Sequence, residues 1–241
     1  MNAIYKTSRI LGIAFLLQFV TSFLSGTLLS PLWNVPGNIG ETMINIAAMP
    51  WLFQLSILVD MLTVFGVVFL GAMLYLTLQK QNKTMALVAL GIYIVEAVLL
   101  AASKLSAYSL LLISQEYAAT GQPAVLQTMG NLALQSMNFV GSTLHVMAFG
   151  FGALLFYPLL YRSRVVPRPL SLWGLVTVIP VLVGMITAVF GYALPFILFV
   201  PYVPFEFVIG IWILIKGVKV EEGAESSPTL GQPVQGIIIP E

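Results

Sequence analysis

Six apolar stretches, each about 20 residues or longer, occupy most of the sequence between Ile10 and Ile215. They run from Ile10 to Leu29, Trp51 to Leu78, Met85 to Ile113, Leu132 to Tyr161, Leu170 to Tyr192 and Pro195 to Ile215. A helix of about 20 residues crosses the hydrocarbon of a bilayer, where no water is available to satisfy backbone polar groups. The sequence therefore predicts an all-α, polytopic bundle of six transmembrane helices. The second, third and fourth stretches exceed the required length and are expected to tilt or to project past the bilayer. Only 8% of the residues are charged, against about a quarter in a soluble domain. Such a chain cannot cover a water-facing globule, so residues 1–219 are read as one membrane domain whose first partner is the lipid bilayer. The net charge of +1 offers nucleic acid no hold. The absence of cysteine removes disulfides, thiolate metal sites and a cysteine nucleophile.

Cationic residues give the orientation. Lys6 and Arg9 precede the first stretch, Lys80 and Lys83 separate the second from the third, Arg162, Arg164 and Arg168 separate the fourth from the fifth, and Lys216 and Lys219 follow the sixth. The three remaining loops contain no Lys or Arg. Under the positive-inside rule this alternation requires an even number of spans and both termini in the cytoplasm of a cell membrane. The first apolar run is longer than a signal-peptide core and no A-x-A site follows, so it is expected to remain as the first helix.

Little is predicted outside the bilayer. Residues Pro31 to Pro50 form a first outer loop in which Trp33 and Trp51 are expected to anchor at the interface. Asn38 followed by Glu41 has the spacing of an N-cap and its capping-box partner, which predicts a short helix through Ile44 and Ile46 lying on the membrane. Residues Glu116 to Asn131 are read as a second outer loop. The Glu-, Gly-, Ser- and Pro-rich segment 220–241 is read as a disordered cytoplasmic tail.

Five ionisable residues fall inside the stretches: Asp60, Glu96, Lys104, His145 and Glu206. Each costs a few kcal/mol in lipid and is expected to face protein and find a partner. Counting helical rise from the cationic anchors puts Asp60 about 30 Å from Lys80 and Lys104 about 31 Å from Lys83. The two opposite charges meet at one level, and an ion pair between adjacent helices is the simplest way to neutralise both. His145 falls slightly deeper on the same outer side. Glu96 and Glu206 lie near mid-membrane, about 20 Å and 15 Å from Lys83 and Lys216, and Gln18 reaches the same level. Pro195, Pro201 and Pro204 precede Glu206 closely and Pro180 interrupts the fifth stretch, irregularities that membranes tolerate where they line protein or a cavity.

These residues allow three readings. The first is an outward-opening polar cavity, ending at Glu96 and Glu206, that binds a small ligand or passes protons as in a transporter or sensor. The second is a structural or accessory subunit whose polar groups only hold helices in register. The third is an intramembrane, lipid-acting enzyme using Glu206 or His145, with Ser142 three residues before the histidine. No recognisable catalytic motif supports the third: G-x-S-x-G, H-E-x-x-H and the P-loop are all missing. A single histidine cannot make a metal or haem site alone, and no cofactor is implied. There is no convincing internal repeat, and the sequence leaves the oligomeric state open.

The stretch Gly152-Ala153-Leu154-Leu155-Phe156-Tyr157, then Leu160-Tyr161-Arg162-Ser163-Arg164-Val165-Val166-Pro167-Arg168 and Leu170-Ser171-Leu172-Trp173-Gly174, resembles the most recognisable part of DUF4386, a family of prokaryotic multi-helix membrane proteins without an assigned activity. Leu58-Val59-Asp60 resembles the family's second-helix aspartate, and Glu206 with Trp212-Ile213-Leu214-Ile215-Lys216-Gly217 resembles its final helix. The resemblance implies a prokaryotic cytoplasmic-membrane protein and sets Asp60 and Glu206 above the other ionisable residues. It implies no reaction.

Overall fold

The computed structural model describes residues 3–192 and 194–218. The described residues are mostly helical and contain no strand. The helices are α1 (Ala3–Phe23), α2 (Ile39–Ala48), α3 (Pro50–Leu78), α4 (Lys83–Ala119), α5 (Ala124–Asn138), α6 (His145–Ser163), α7 (Arg168–Val189) and α8 (Val203–Lys216). Two π-helical turns, Leu24–Leu29 and Phe139–Leu144, extend α1 and join α5 to α6. Five helical stretches have the length and apolar character to cross a membrane: Arg9–Leu32, Pro50–Leu78, Lys83–Ala119, Ala124–Ser163 and Arg168–Val189.

Neighbours in the bundle are α1 with α3 and α8, α3 with α4, α4 with α6, and α6 with α7. Short turns make α3–α4 and α6–α7 antiparallel hairpins, the second closed by Arg164 in the left-handed region (φ 53°). Helix α1 runs antiparallel to α3, as the hydrogen bond from Thr63 to Thr21 (2.8 Å) fixes their register. It also runs antiparallel to α8, with Phe19 against Phe207 and Gly12 against Leu214. The main core gathers Tyr93, Phe156, Tyr157, Phe205 and Ile209 between α1, α3, α4, α6, α7 and α8.

The structure departs from the sequence reading in four places. The segment 116–131 is not a loop: α4 continues to Ala119 and α5 begins at Ala124, so only a tight turn with Gly121 and Gln122 at positive φ separates them. Gln127, Thr128 and Asn131 resemble loop residues by polarity, yet they occupy a helix that packs on α4. With 37 residues, α4 is about 55 Å long, well beyond the roughly 30 Å hydrocarbon thickness. Second, Trp33 is not a surface anchor. It is 5% exposed and meets Phe53 edge-on in a second cluster with Met43, Ile46, Leu110 and Tyr117. Trp51, by contrast, is 63% exposed. Third, the last apolar stretch is not one helix. The described residues from 194 to 202 form turns and a single 3-10 turn, and α8 starts only at Val203. Pro195, Pro201 and Pro204 supply the reason, since each lacks a backbone donor. Pro180, in contrast, is accommodated inside an unbroken α7.

The fourth departure concerns α2. The helix forms where expected, and the Asn38 side chain accepts a hydrogen bond from the Glu41 amide at 3.1 Å. The reciprocal half of the capping box is absent: Glu41 accepts from the Asn38 side-chain amide (3.0 Å), while the Asn38 backbone N–H is donated to Val35. Met43 and Ile46 are fully buried against α4 and α5, so the apolar face of α2 covers protein. Asn38→Ala removes the cap and is expected to cost about 1 kcal/mol, read as a lower midpoint in thermal unfolding of detergent-solubilised protein. An unchanged midpoint would show that packing alone holds α2. The segment 220–241, expected to be a disordered tail, lies outside the described residues, as does Lys219.

Candidate functional site

Two adjacent chambers lie on the side of the bundle away from the cationic turns. The first, about 260 Å³, sits among α1, α3, α4 and the two π-helical turns and is lined by Asp60, Lys104, His145, Ser142, Thr63 and Ser25, among others. The second, about 690 Å³, lies between α1 and the start of α8 and is lined by Gln18, Glu96, His145, Phe149, Tyr202 and Glu206, among others. Ser22, Gly26, His145 and Val146 line both.

In the first chamber Lys104 on α4 pairs directly with Asp60 on α3, the partner that helical counting selects. Their side chains are only 14% and 20% exposed. An unpaired charge at this depth costs several kcal/mol, whereas a matched pair offsets much of that. Ser142 and His145 both border this chamber, but no hydrogen bond joins them. His145 Nδ1 instead lies 3.3 Å from the backbone carbonyl of Glu96. A carbonyl only accepts, so Nδ1 carries the proton and donates it, which leaves Nε2 as the acceptor of the neutral ring. The same Nδ1 is 3.9 Å from Glu96 Oε1. His145 thus ties α6 to α4 at the boundary between the chambers.

The second chamber holds the two mid-bundle acids. Glu96 is 1% exposed and Glu206 is 8% exposed. The Tyr202 hydroxyl donates to Glu206 Oε1 at 2.9 Å and lies 2.6 Å from the Tyr157 hydroxyl. Because the single Tyr202 hydrogen goes to Glu206, Tyr157 supplies the donor between the two rings. The chain of hydrogen bonds therefore runs Tyr157 to Tyr202 to Glu206. Glu206 also occupies the first turn of α8, where the helix dipole favours negative charge. Glu96 Oε2 and Gln18 Oε1, in contrast, are buried without any hydrogen-bond partner. Both residues line the second chamber, and its lining contains no Lys or Arg.

Of the residues picked out in the sequence, Gln18, Glu96, His145 and Glu206 come together around one chamber, and Asp60, Lys104 and His145 around the other. Asp60 and Glu206 do not share a chamber. Sequence reasoning missed Tyr157 and Tyr202. The spacing of Tyr202 and Glu206 by four residues is a usable signal, but nothing in the sequence brings Tyr157 to them. It also missed the two π-helical turns, a backbone form frequent at functional sites, both of which line the first chamber, through Gly26 and Gly141. Among the described residues, no three His, Cys, Asp or Glu side chains are grouped to hold a metal.

Neither the curated proteins nor the solved structures include a match to this chain. A family model does match, described as Domain of unknown function (DUF4386), and it covers residues 10–217. That range takes in every helix that lines the two chambers, and the chain belongs to the DUF4386 family.

Proposed function

We propose that this protein spans a prokaryotic cytoplasmic membrane six times, with both termini in the cytoplasm, and that its second chamber handles a small ligand or protons in the manner of a transporter or sensor. The sixth crossing combines α8, about 21 Å long, with the irregular segment before it. Non-helical backbone at membrane depth is tolerated where it lines a cavity, and residues from Val200 to Glu206 do line one. A helix that begins inside the bilayer beside a polar site is also the arrangement by which transporters present helix termini to their substrates. The cationic turns at one end of the bundle support the cytoplasmic assignment of that end.

One observation carries the functional reading: two buried carboxyls from separate helices, Glu96 and Glu206, converge on a chamber with two buried oxygens left unpaired. Groups that served only to lock helices together would be paired with each other, because an orphaned buried acceptor costs about 1–3 kcal/mol. The Asp60–Lys104 pair fits the packing role well; the second chamber does not.

Proton titration of the protein in lipid nanodiscs tests this. Glu206→Gln and Glu96→Gln should each remove close to one reversibly bound proton over about pH 4 to 10, with little change in thermal stability. Titration curves that superimpose on the wild type would mean that neither acid exchanges with solvent, and the site would be lost.

A further inference from the structure

We infer that the second chamber is a binding site for a cationic amphiphile, an organic amine with an apolar body, that enters sideways from the bilayer. This inference rests on the proposal that the chamber handles a ligand, and it assigns the chemical class.

The buried polar atoms left unpaired in the chamber lining are acceptors. Gln18 Oε1 can only accept, and it is buried with no partner. Glu96 Oε2 is likewise buried and unpaired. Glu206 is held from behind by the Tyr157–Tyr202 chain, which fixes its carboxyl in place. With two acids and no Lys or Arg in the lining, a complementary ligand supplies hydrogen-bond donors and positive charge. An ammonium group has three donors and no acceptor, which matches three converging oxygen-bearing side chains. A carboxylate or phosphate would meet like charge at the two acids.

The remainder of the wall is apolar: Phe19, Phe149, Val181 and Val203 among others. At about 690 Å³ the chamber falls within the usual range for small-molecule sites, roughly 300–1,000 Å³, and is far larger than a bare ammonium ion needs. Its rim includes Phe23, Val200 and Val203, each about 40% exposed on the outer surface of the bundle. A surface of this kind at membrane depth faces lipid tails. The route in therefore suits a molecule that already partitions into the bilayer. The opening lies beside the first turn of α8, where Val200, Val203 and Pro204 line it.

Calorimetric titration of the protein in nanodiscs, with empty nanodiscs as the blank, provides the test. The probes are 4-phenylbutylamine, its carboxylate counterpart 4-phenylbutanoate, and methylammonium, which keeps the head and lacks the body. The amine should bind above the blank, with the carboxylate and methylammonium at least about tenfold weaker. Glu96→Gln and Glu206→Gln should each weaken the amine about tenfold or more, and Val203→Trp should do so by filling the rim. Equal binding of amine and carboxylate would overturn the assignment, as would amine binding indifferent to both acid substitutions. Methylammonium or sodium binding as tightly as the full amine would mean a bare-cation site and would also overturn it. Failure of amine binding with the proton titration still altered in the acid variants defeats this inference alone; failure of both defeats the ligand- and proton-handling proposal beneath it.

Discussion

Replacing Gly12 with leucine is expected to prevent α1 from docking on α8 and to abolish recovery of folded, monodisperse protein. A Cβ at position 12 would lie 2.6 Å from the Leu214 backbone nitrogen and 2.9 Å from the Gly210 carbonyl oxygen. Both obstacles are main chain within a helix, so no rotamer change relieves the clash. Overpacking that side chains can absorb costs about 1–3 kcal/mol; here the helices themselves must separate, and the upper end of that range or more is expected. Membrane helices associate largely through such close backbone approach at small residues. The effect reaches the candidate site, because α1 carries Gln18 and α8 carries Glu206 across the same interface. Gly91→Leu serves as the control, since position 91 is exposed on α4 and nothing lies within 4 Å of a Cβ placed there. Size-exclusion profiles of the two variants after extraction give the comparison. If Gly12→Leu elutes and melts like Gly91→Leu, the α1–α8 packing described here is wrong.

Lys104→Met is the second large effect. It leaves Asp60 at a site where its side chain is 20% exposed, without its counter-charge. Breaking a fully buried pair costs about 3–5 kcal/mol. Partial access to solvent lowers that, and about 2 kcal/mol is expected. The double variant Asp60→Leu/Lys104→Met should recover most of the loss, because an apolar replacement of both partners removes the desolvation cost along with the attraction. Thermal midpoints of the wild type, both single variants and the double variant form the cycle. Additive losses would show that the two residues do not act as a pair. The pair also borders the chamber that His145 shares with Glu96 and Glu206. If the double variant is stable and retains the acid titration, the pair serves packing and the site lies in the second chamber alone.

The Asp60–Lys104 pair was legible because helical rise is nearly constant and both residues have a cationic anchor at a known distance along an uninterrupted helix. The same arithmetic put Gln18, Glu96 and Glu206 at one level, and the structure brings these three around one chamber. It gave no warning that α8 starts just before Glu206, since apolar residues continue upstream and hydropathy does not register a missing backbone donor. Polarity misled at Gln127 to Asn131 for the complementary reason: a helix packed against protein on one side tolerates polar residues on the other. Trp33 was misassigned because an interfacial tryptophan and one covered by a folded-back helix have the same local sequence.

Long apolar stretches, the placement of Lys and Arg, and the scarcity of other charge were enough to determine an all-helical membrane-type chain and to single out its ionisable residues, because burial in lipid penalises composition one residue at a time. The motif around Arg162 to Gly174 was enough to point to the family. Only the tertiary structure decided which oxygens remain unpaired, which tyrosines stand behind Glu206, and that a chamber opens beside the start of α8. Those depend on side chains from helices far apart in sequence meeting at distances near 3 Å, and a linear pattern carries no record of which helix faces meet.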